Sequence, residues 1–420
     1  MSSIKTLAGD TIIYGLSTIL ARMLGYLLVP YLTRVMTTGE YGVYTHLYSL
    51  IPLALVLLTM GLENGYFRFA GKTEDEAERN ALFATLLAAT AIAAAVFCLA
   101  VSPFSEPIAS SMGYGDHASY VWLTAIIISL DAITAIPFAR LRQQRRRMRY
   151  VTIRLVSVVV NLALCGFFYT AQGRTGVEWV LWANVAASAV SLAMLLPTMR
   201  WLRLSRVDPK LLKRVMVFSL PLLVSGVAGT AGEFVDRQMV KWLMPPDVAM
   251  EALGVYGAAT KLAVIMILFT TMYRLAAEPI FLAKFGRRGD FARQSMLALW
   301  LYIGVAVLIF AAVMIGKPLV VLILGEQFRE GSHLLPVLLA ANALAGVVFS
   351  LSFWYKQAER TWVAIAITGT GLAAALALNL VLVPRMGYEG AAWARLGCEA
   401  AMVAVSVGLL YMNRKKIREL

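Results

Sequence analysis

Apolar positions in this chain do not recur at helix or strand spacing; they run together in long blocks. A block apolar on all sides has no polar face to turn toward water, and about 20 such residues in a helix cross the roughly 30 Å of a bilayer core. Twelve blocks of that length succeed one another, at 10–32, 43–65, 81–102, 118–139, 151–171, 177–198, 214–238, 254–280, 294–315, 334–355, 362–383 and 390–412. They are too long and continuous for barrel strands, and a span in lipid must bond its own backbone, so each is predicted to be a helix. The pattern predicts an all-α polytopic membrane protein of about 12 transmembrane helices. Composition agrees: 60% of the 420 residues are apolar, 15% are charged, and the mean hydropathy is +0.73. The first block comes after a single lysine, Lys5, exceeds a signal-peptide core in length and has no small-residue cleavage pattern, so it reads as a retained helix.

Charge supplies the orientation. Of the 38 lysines and arginines, 26 fall at the termini or in connections after even-numbered blocks, and six after odd-numbered blocks: Arg34, Arg174, Lys241, Lys317, Arg329 and Arg385. Basic residues collect on the cytoplasmic side of membrane proteins, so both termini and the run "RLRQQRRRMR" (140–149) are assigned to the cytoplasmic side of the membrane. Nucleic-acid binding would interleave such residues with stacking aromatics on a folded domain. This run is instead wedged between two spans, where it can hold anionic lipid headgroups.

The chain also repeats itself. "YGVYTHLYSL" (41–50) is echoed by "LGVYGAATKL" (253–262) at a shift of 212 residues. "RQQRRRMRYV" before the fifth block matches "YKQAERTWVA" before the eleventh, and Asn161 falls opposite Asn379. These matches predict two six-helix lobes, 1–206 and 207–420. An even number of helices makes both enter the membrane in the same direction, so a pseudo-two-fold axis along the membrane normal relates them around a central cleft.

Connections of at most about 20 residues leave no room for a soluble enzyme domain, and no Walker, HExxH or GxSxG motif occurs. Cys98, Cys165 and Cys398 lie singly in apolar blocks and read as core thiols. His46, His117 and His333 lie near outer helix ends, where a solvated or interfacial role is expected. The chain reads as a transporter that does not hydrolyse ATP, with no cofactor or metal site; a coupling ion, H+ or Na+, is left open.

Ionisable groups inside spans are costly unless paired or wetted, so each is a candidate for function. Glu233 with Arg237, Arg274 with Glu278, and Arg395 with Glu399 stand four apart and can pair along one helix. Arg22, Arg154 and Lys261 have no acid three or four residues away. Arg154 is a turn inside its span and can snorkel. Arg22 is near mid-span, in a polar stripe of Tyr14, Thr18, Arg22 and Tyr26 that lines one helix face. Such a face suits a wet cleft, and guanidinium and ammonium groups in it suit an anion such as a diphosphate. Asp131, Glu63 and Asn64 are placed either to meet sugar hydroxyls or to pair with the basic groups.

Three stretches carry a resemblance in chain order. "YGLSTILARMLGYLLVPYLTRVMTTGEYGVY" (14–44), "EFVDRQMVKWLM" (233–244) with the doublet Asp236 and Arg237, and "NLVLVPRMGYEGAAWA" (379–394) are similar to the polysaccharide-transport flippases of the multidrug/oligosaccharidyl-lipid/polysaccharide exporter superfamily. The resemblance implies a cargo of undecaprenyl-diphosphate-linked O-antigen or capsule repeat units, carried from the cytoplasmic to the outer leaflet, and polymerase or assembly proteins as partners. Members with fourteen helices have a further pair that this chain lacks. A lipid II or other wall-precursor flippase, a cation-coupled multidrug exporter and a non-transporting scaffold are the alternatives. The exporter needs an acidic pocket, whereas the central charge here is basic.

The charge split generates the first prediction. A cysteine introduced between Arg140 and Arg149 is expected to react with impermeant reagents only from the cytoplasm, and one beside Asp116 only from outside. Labelling of the arginine run from outside would invert the orientation.

Overall fold

A computed structural model describes residues 23–115, 117–199, 207–281, 290–357 and 360–413. The described residues are helical throughout, without a strand. Nine helices among them are long and apolar enough to cross a membrane, or ten if a bent pair counts as one span. They answer to the second to sixth and eighth to twelfth apolar blocks. Most of the first block, with Tyr14, Thr18 and Arg22, lies outside the described residues; the short helix α1 (Leu28–Val35) comes at its end. The seventh block lies within a 35-residue helix, Pro209–Leu243.

The described residues form two compact units, one drawing on 29–45 and on those from 231 to 413, the other on 23–28 and on those from 46 to 230. Helix α2 (Thr38–Thr59) starts in the first unit and belongs to the second from His46 on, where it gives way to α3 (Leu62–Ala70), and then come α4 (Glu76–Val101), α5 (Ser105–Ser111), α6 (Ala118–Gln143), α7 (Arg147–Gly166) and α8 (Glu178–Met199). Helix α6 is central, packed on α4, on α8 and on α3. Leu62, Tyr66, Phe83, Leu86, Ile136 and Val215 fill the end of this unit where α3, α4, α6 and the start of α9 (Pro209–Leu243) meet. The block at 43–65 was expected as one helix. It breaks at Met60 and Gly61, whose φ angles of 50° and 66° no helix continues through.

The first unit holds α10 (Pro246–Leu262), α11 (Val264–Phe281), α12 (Asp290–Ile315), α13 (Lys317–Val321), a 3-10 turn (Glu326–Leu334), α14 (Leu335–Leu351), α15 (Phe353–Gln357), α16 (Thr361–Met386) and α17 (Tyr388–Met412). The block at 254–280 is likewise broken: α10 and α11 meet at Ala263 with a bend of 47°. Aromatic rings of Phe281, Phe291, Phe353 and Trp354 close one end of the unit. Helix α12 turns Leu297, Trp300, Leu301, Val307 and Leu308 outward, an apolar wall suited to lipid.

Helices α16 and α17 form a tight hairpin turned by Gly387, whose φ of 62° and ψ of −142° lie in a region open only to glycine. Gly387→Ala is therefore expected to destabilise the protein by about 1–3 kcal/mol, read as a lowered unfolding temperature in detergent. Gly369→Ala in mid-α16, where a methyl group meets nothing within 4 Å, is expected to raise it instead, since alanine favours a helix interior over glycine.

Candidate functional site

In the second unit the in-span charges each meet a partner from another helix. The Asp131 carboxylate on α6 accepts a hydrogen bond from Ser188 Oγ on α8 at 2.8 Å. Arg154 on α7 is exposed, with its guanidinium 4.1 Å from the centre of the Phe138 ring on α6, and its charge acts on Asp131. Glu63 at the start of α3 forms an ion pair with Arg142 at the end of α6, and Arg142 also lies 4.9 Å over Phe67. Asn64, one residue on, is exposed. Arg140 is buried beneath them, donating to Asn80 Oδ1 at 2.5 Å and facing the Phe83 ring at 4.2 Å.

The first unit gathers a larger polar group. Asp236 on α9 is 3% exposed. Asn379 on α16 donates to its Oδ1 at 3.2 Å, and Arg395 on α17 approaches its Oδ2 at 3.6 Å. The guanidinium turns across to α9 and to Asn342 Oδ1 on α14 at 3.4 Å, and its charge also acts on Glu399, the partner expected along α17. Glu399 keeps a buried Oε2 with no hydrogen-bond partner among the described residues. Asn342 also donates to the carbonyl of Ala263 at 3.2 Å, where the α10–α11 bend interrupts the helical bonding. One asparagine therefore joins the charged group to the broken span.

Other candidates lie apart. Lys261 is half-buried at the end of α10, two residues before the bend; Arg237 and Tyr26 are half-buried. Arg274 is exposed, with its guanidinium 4.9 Å from the Phe349 ring centre, and Glu278, its expected partner, has no described side chain. Among the described residues no group of three or more His, Cys, Asp or Glu is arranged to hold a metal ion.

The expectation of solvated histidines fails at His46. It is 1% exposed, and its Nδ1 bonds to the Tyr114 hydroxyl, which comes from the turn before α6. Burial pushes the Tyr114 hydroxyl pKa upward, so it stays protonated at neutral pH. His117 stacks on Tyr120 with ring centroids 4.7 Å apart, and His333 Nε2 meets Glu389 Oε1 at 2.9 Å. Sequence reasoning also missed Ser188, Asn342 and Arg142 as partners; a serine or asparagine inside an apolar span was the available signal.

Removing Arg395 takes a guanidinium away from Asp236. Arg395→Gln is expected to cost roughly 3–5 kcal/mol, the range for removing one partner of a buried ion pair. Adding Asp236→Asn is expected to recover most of it, measured as a double-mutant cycle on unfolding in detergent. Strict additivity of the two changes would show that the ion pair carries no stability.

No curated protein matches the chain in sequence. Three solved structures share its fold at low identity. A multidrug resistance MATE family transporter of the MOP superfamily, in an inward-facing conformation, superposes with a TM-score of 0.73 at 13% identity, over 97% of this chain and 94% of that one. The lipid II flippase MurJ, in an inward closed conformation, gives 0.73 at 13% over 97% and 89%. A MOP superfamily transporter from Pyrococcus furiosus, described by a binding pocket of reversed polarity, gives 0.61 at 12% over 98% and 96%. The model of one family, described as polysaccharide biosynthesis protein, matches residues 7–283. The chain therefore belongs to the polysaccharide biosynthesis protein family, on the helical fold of the MOP transporter superfamily.

Proposed function

We propose that the protein is a flippase that carries undecaprenyl-diphosphate-linked oligosaccharide repeat units from the cytoplasmic to the outer leaflet of a bacterial inner membrane. Two six-helix lobes, 1–206 and 207–420, rock about the cargo, and a cationic cleft holds its diphosphate. The observation that carries this reading over a cation exporter is the state of the acids. Asp131, Asp236 and Glu63 are engaged by Ser188, Arg395 and Arg142, which leaves them poorly placed to hold a cationic drug. The family match points to polysaccharide biosynthesis. Pocket polarity varies among transporters of this fold, as the Pyrococcus relative illustrates, so the sign of the cleft is what separates the readings.

Arg22 and Lys261 are the proposed anion ligands, with Tyr14, Thr18 and Tyr26 keeping the face wet. Asn64 is a proposed contact for sugar hydroxyls, and Arg154, Arg237, Arg274 and Arg395 supply the surrounding positive potential. A cargo with about two negative charges moves outward down an inside-negative potential, gaining roughly 2.3 kcal/mol per charge for each 100 mV. A wall-precursor flippase is the second reading, favoured by the likeness to MurJ.

Complementation separates them. The chain is expected to restore surface glycan in a strain lacking the flippase for a defined polysaccharide, and not viability in one lacking its lipid II flippase; the reverse result would replace the cargo. Arg22→Lys is expected to keep part of the activity, while Arg22→Ala loses it at unchanged protein level and melting temperature. Normal export by the Arg22→Ala, Lys261→Ala double variant would end the cationic-cleft mechanism.

A further inference from the structure

The echo between "YGVYTHLYSL" and "LGVYGAATKL" has a counterpart in space. Helix α10 and the first turns of α2 lie in the same compact unit and cross at Gly42 and Gly254, which are equivalent under the 212-residue shift. A methyl group on Gly42 would sit on the carbonyl of Met250, and one on Gly254 would sit on the carbonyl of Thr38. Thr38 and Met250 are themselves equivalent under the same shift. Each added carbon would also stand 3.1 Å from the partner glycine's backbone nitrogen. One turn further along, Thr45 packs on Gly257, again its own equivalent, with the Thr45 Cβ 3.0 Å from where a Gly257 Cβ would be. Two repeat-related pairs meeting one another, Gly42 with Gly254 and Thr45 with Gly257, and a third, Thr38 and Met250, each meeting the other's glycine, are the signature of a local two-fold axis through the crossing. Backbone approach this close is available only to glycine and is favoured in membranes, where small residues let helices touch and Cα–H groups face carbonyls.

The surrounding contacts seal the same end. Gln327 donates to the Met36 carbonyl at 2.6 Å, Arg34 to the carbonyls of Leu322 and Ile323 at 2.9 and 3.1 Å, and Gly325 N to Thr33 Oγ1 at 3.0 Å. Tyr41 and Phe328, both fully buried, meet edge to face with centroids 5.2 Å apart. The charge pattern assigns this end to the outer side.

We propose that the Gly42–Gly254 crossing is the outer seal of the transport cycle: it closes by backbone contact between the two repeats, and it must part for the carrier to open outward. The seal presupposes the alternating-access reading of the protein and deepens it by naming the surface that alternates. Any side chain at either glycine is expected to weaken the sealed state and bias the carrier toward the outward-open one.

The test starts from a chain carrying Cys98→Ala, Cys165→Ala and Cys398→Ala, with Ser49→Cys as reporter, one turn beyond Thr45 on the same face of α2. With both glycines present, the reporter is expected to resist an impermeant maleimide added outside. With Gly42→Ala and Gly254→Ala, labelling is expected to quicken by about tenfold or more, as overpacking a tight contact shifts a two-state equilibrium by that order. Gly39→Ala, whose added carbon meets only Glu251 Cγ at 3.9 Å, is the control and should change nothing. Unchanged labelling in a double variant present at normal levels would overturn the seal.

A second arm covers a double variant that does not accumulate. In the same cysteine-free chain, Gly39→Cys with Glu251→Cys, another repeat-related pair, where a Gly39 Cβ would stand 3.9 Å from the Glu251 Cγ, is expected to form a disulfide in intact membranes under mild oxidant, and failure to cross-link would equally overturn the proposal. Neither readout depends on cargo. If the seal behaves as described while no glycan strain is complemented, it is the cargo assignment that falls.

Discussion

Inside hydrocarbon a polar group has no water to turn to, and the arrangement of this protein is a response to that constraint. Regular helix satisfies the backbone, so the points that need explanation are those where the helix stops. At Ala263 the bend between α10 and α11 releases a carbonyl, and Asn342 from α14 takes it up. The same asparagine receives Arg395, which reaches Asp236, which in turn holds Asn379. A break in one span is thus stabilised by a polar chain through four other helices. Removing any member leaves its neighbour stranded in a medium that offers no substitute.

The second unit meets the same requirement differently. Its arginines lean on aromatic rings: Arg154 on Phe138, Arg142 on Phe67, Arg140 on Phe83. A guanidinium over a ring is partly desolvated without being isolated, and the long apolar stem packs along the way. Ring contacts recur in the first unit, where Arg274 faces Phe349, so what sets that unit apart is its connected polar chain.

The spans were legible in the sequence because length and hydropathy are properties of one segment at a time. What partners a buried group was not, because that depends on which helices the fold sets side by side. Arg395 has an acid one turn away on its own helix, which spacing alone picks out; packing brings Asp236 within reach as well. His46 lies near a helix end, where water is the natural expectation, until a turn 68 residues later lays Tyr114 over it. The breaks were hidden for a related reason. Met60 is an ordinary apolar residue, and nothing in its identity announces a positive φ; the neighbouring glycine was the available cue. The acids that resemblance or burial singled out are legible as important, but their roles become visible only with the serine, asparagine and arginine that hold them.

The Thr45–Gly257 contact has a consequence for how the two halves of the chain can drift in sequence. Across a local two-fold axis the positions are equivalent, yet one carries a β-branched side chain and the other none, and the threonine methyl occupies space that glycine leaves empty. Bulk can sit on either helix but not on both. In a family descended from a duplicated ancestor, residues 45 and 257 are then expected to vary together, with small and large exchanging sides, although 212 positions separate them along the chain.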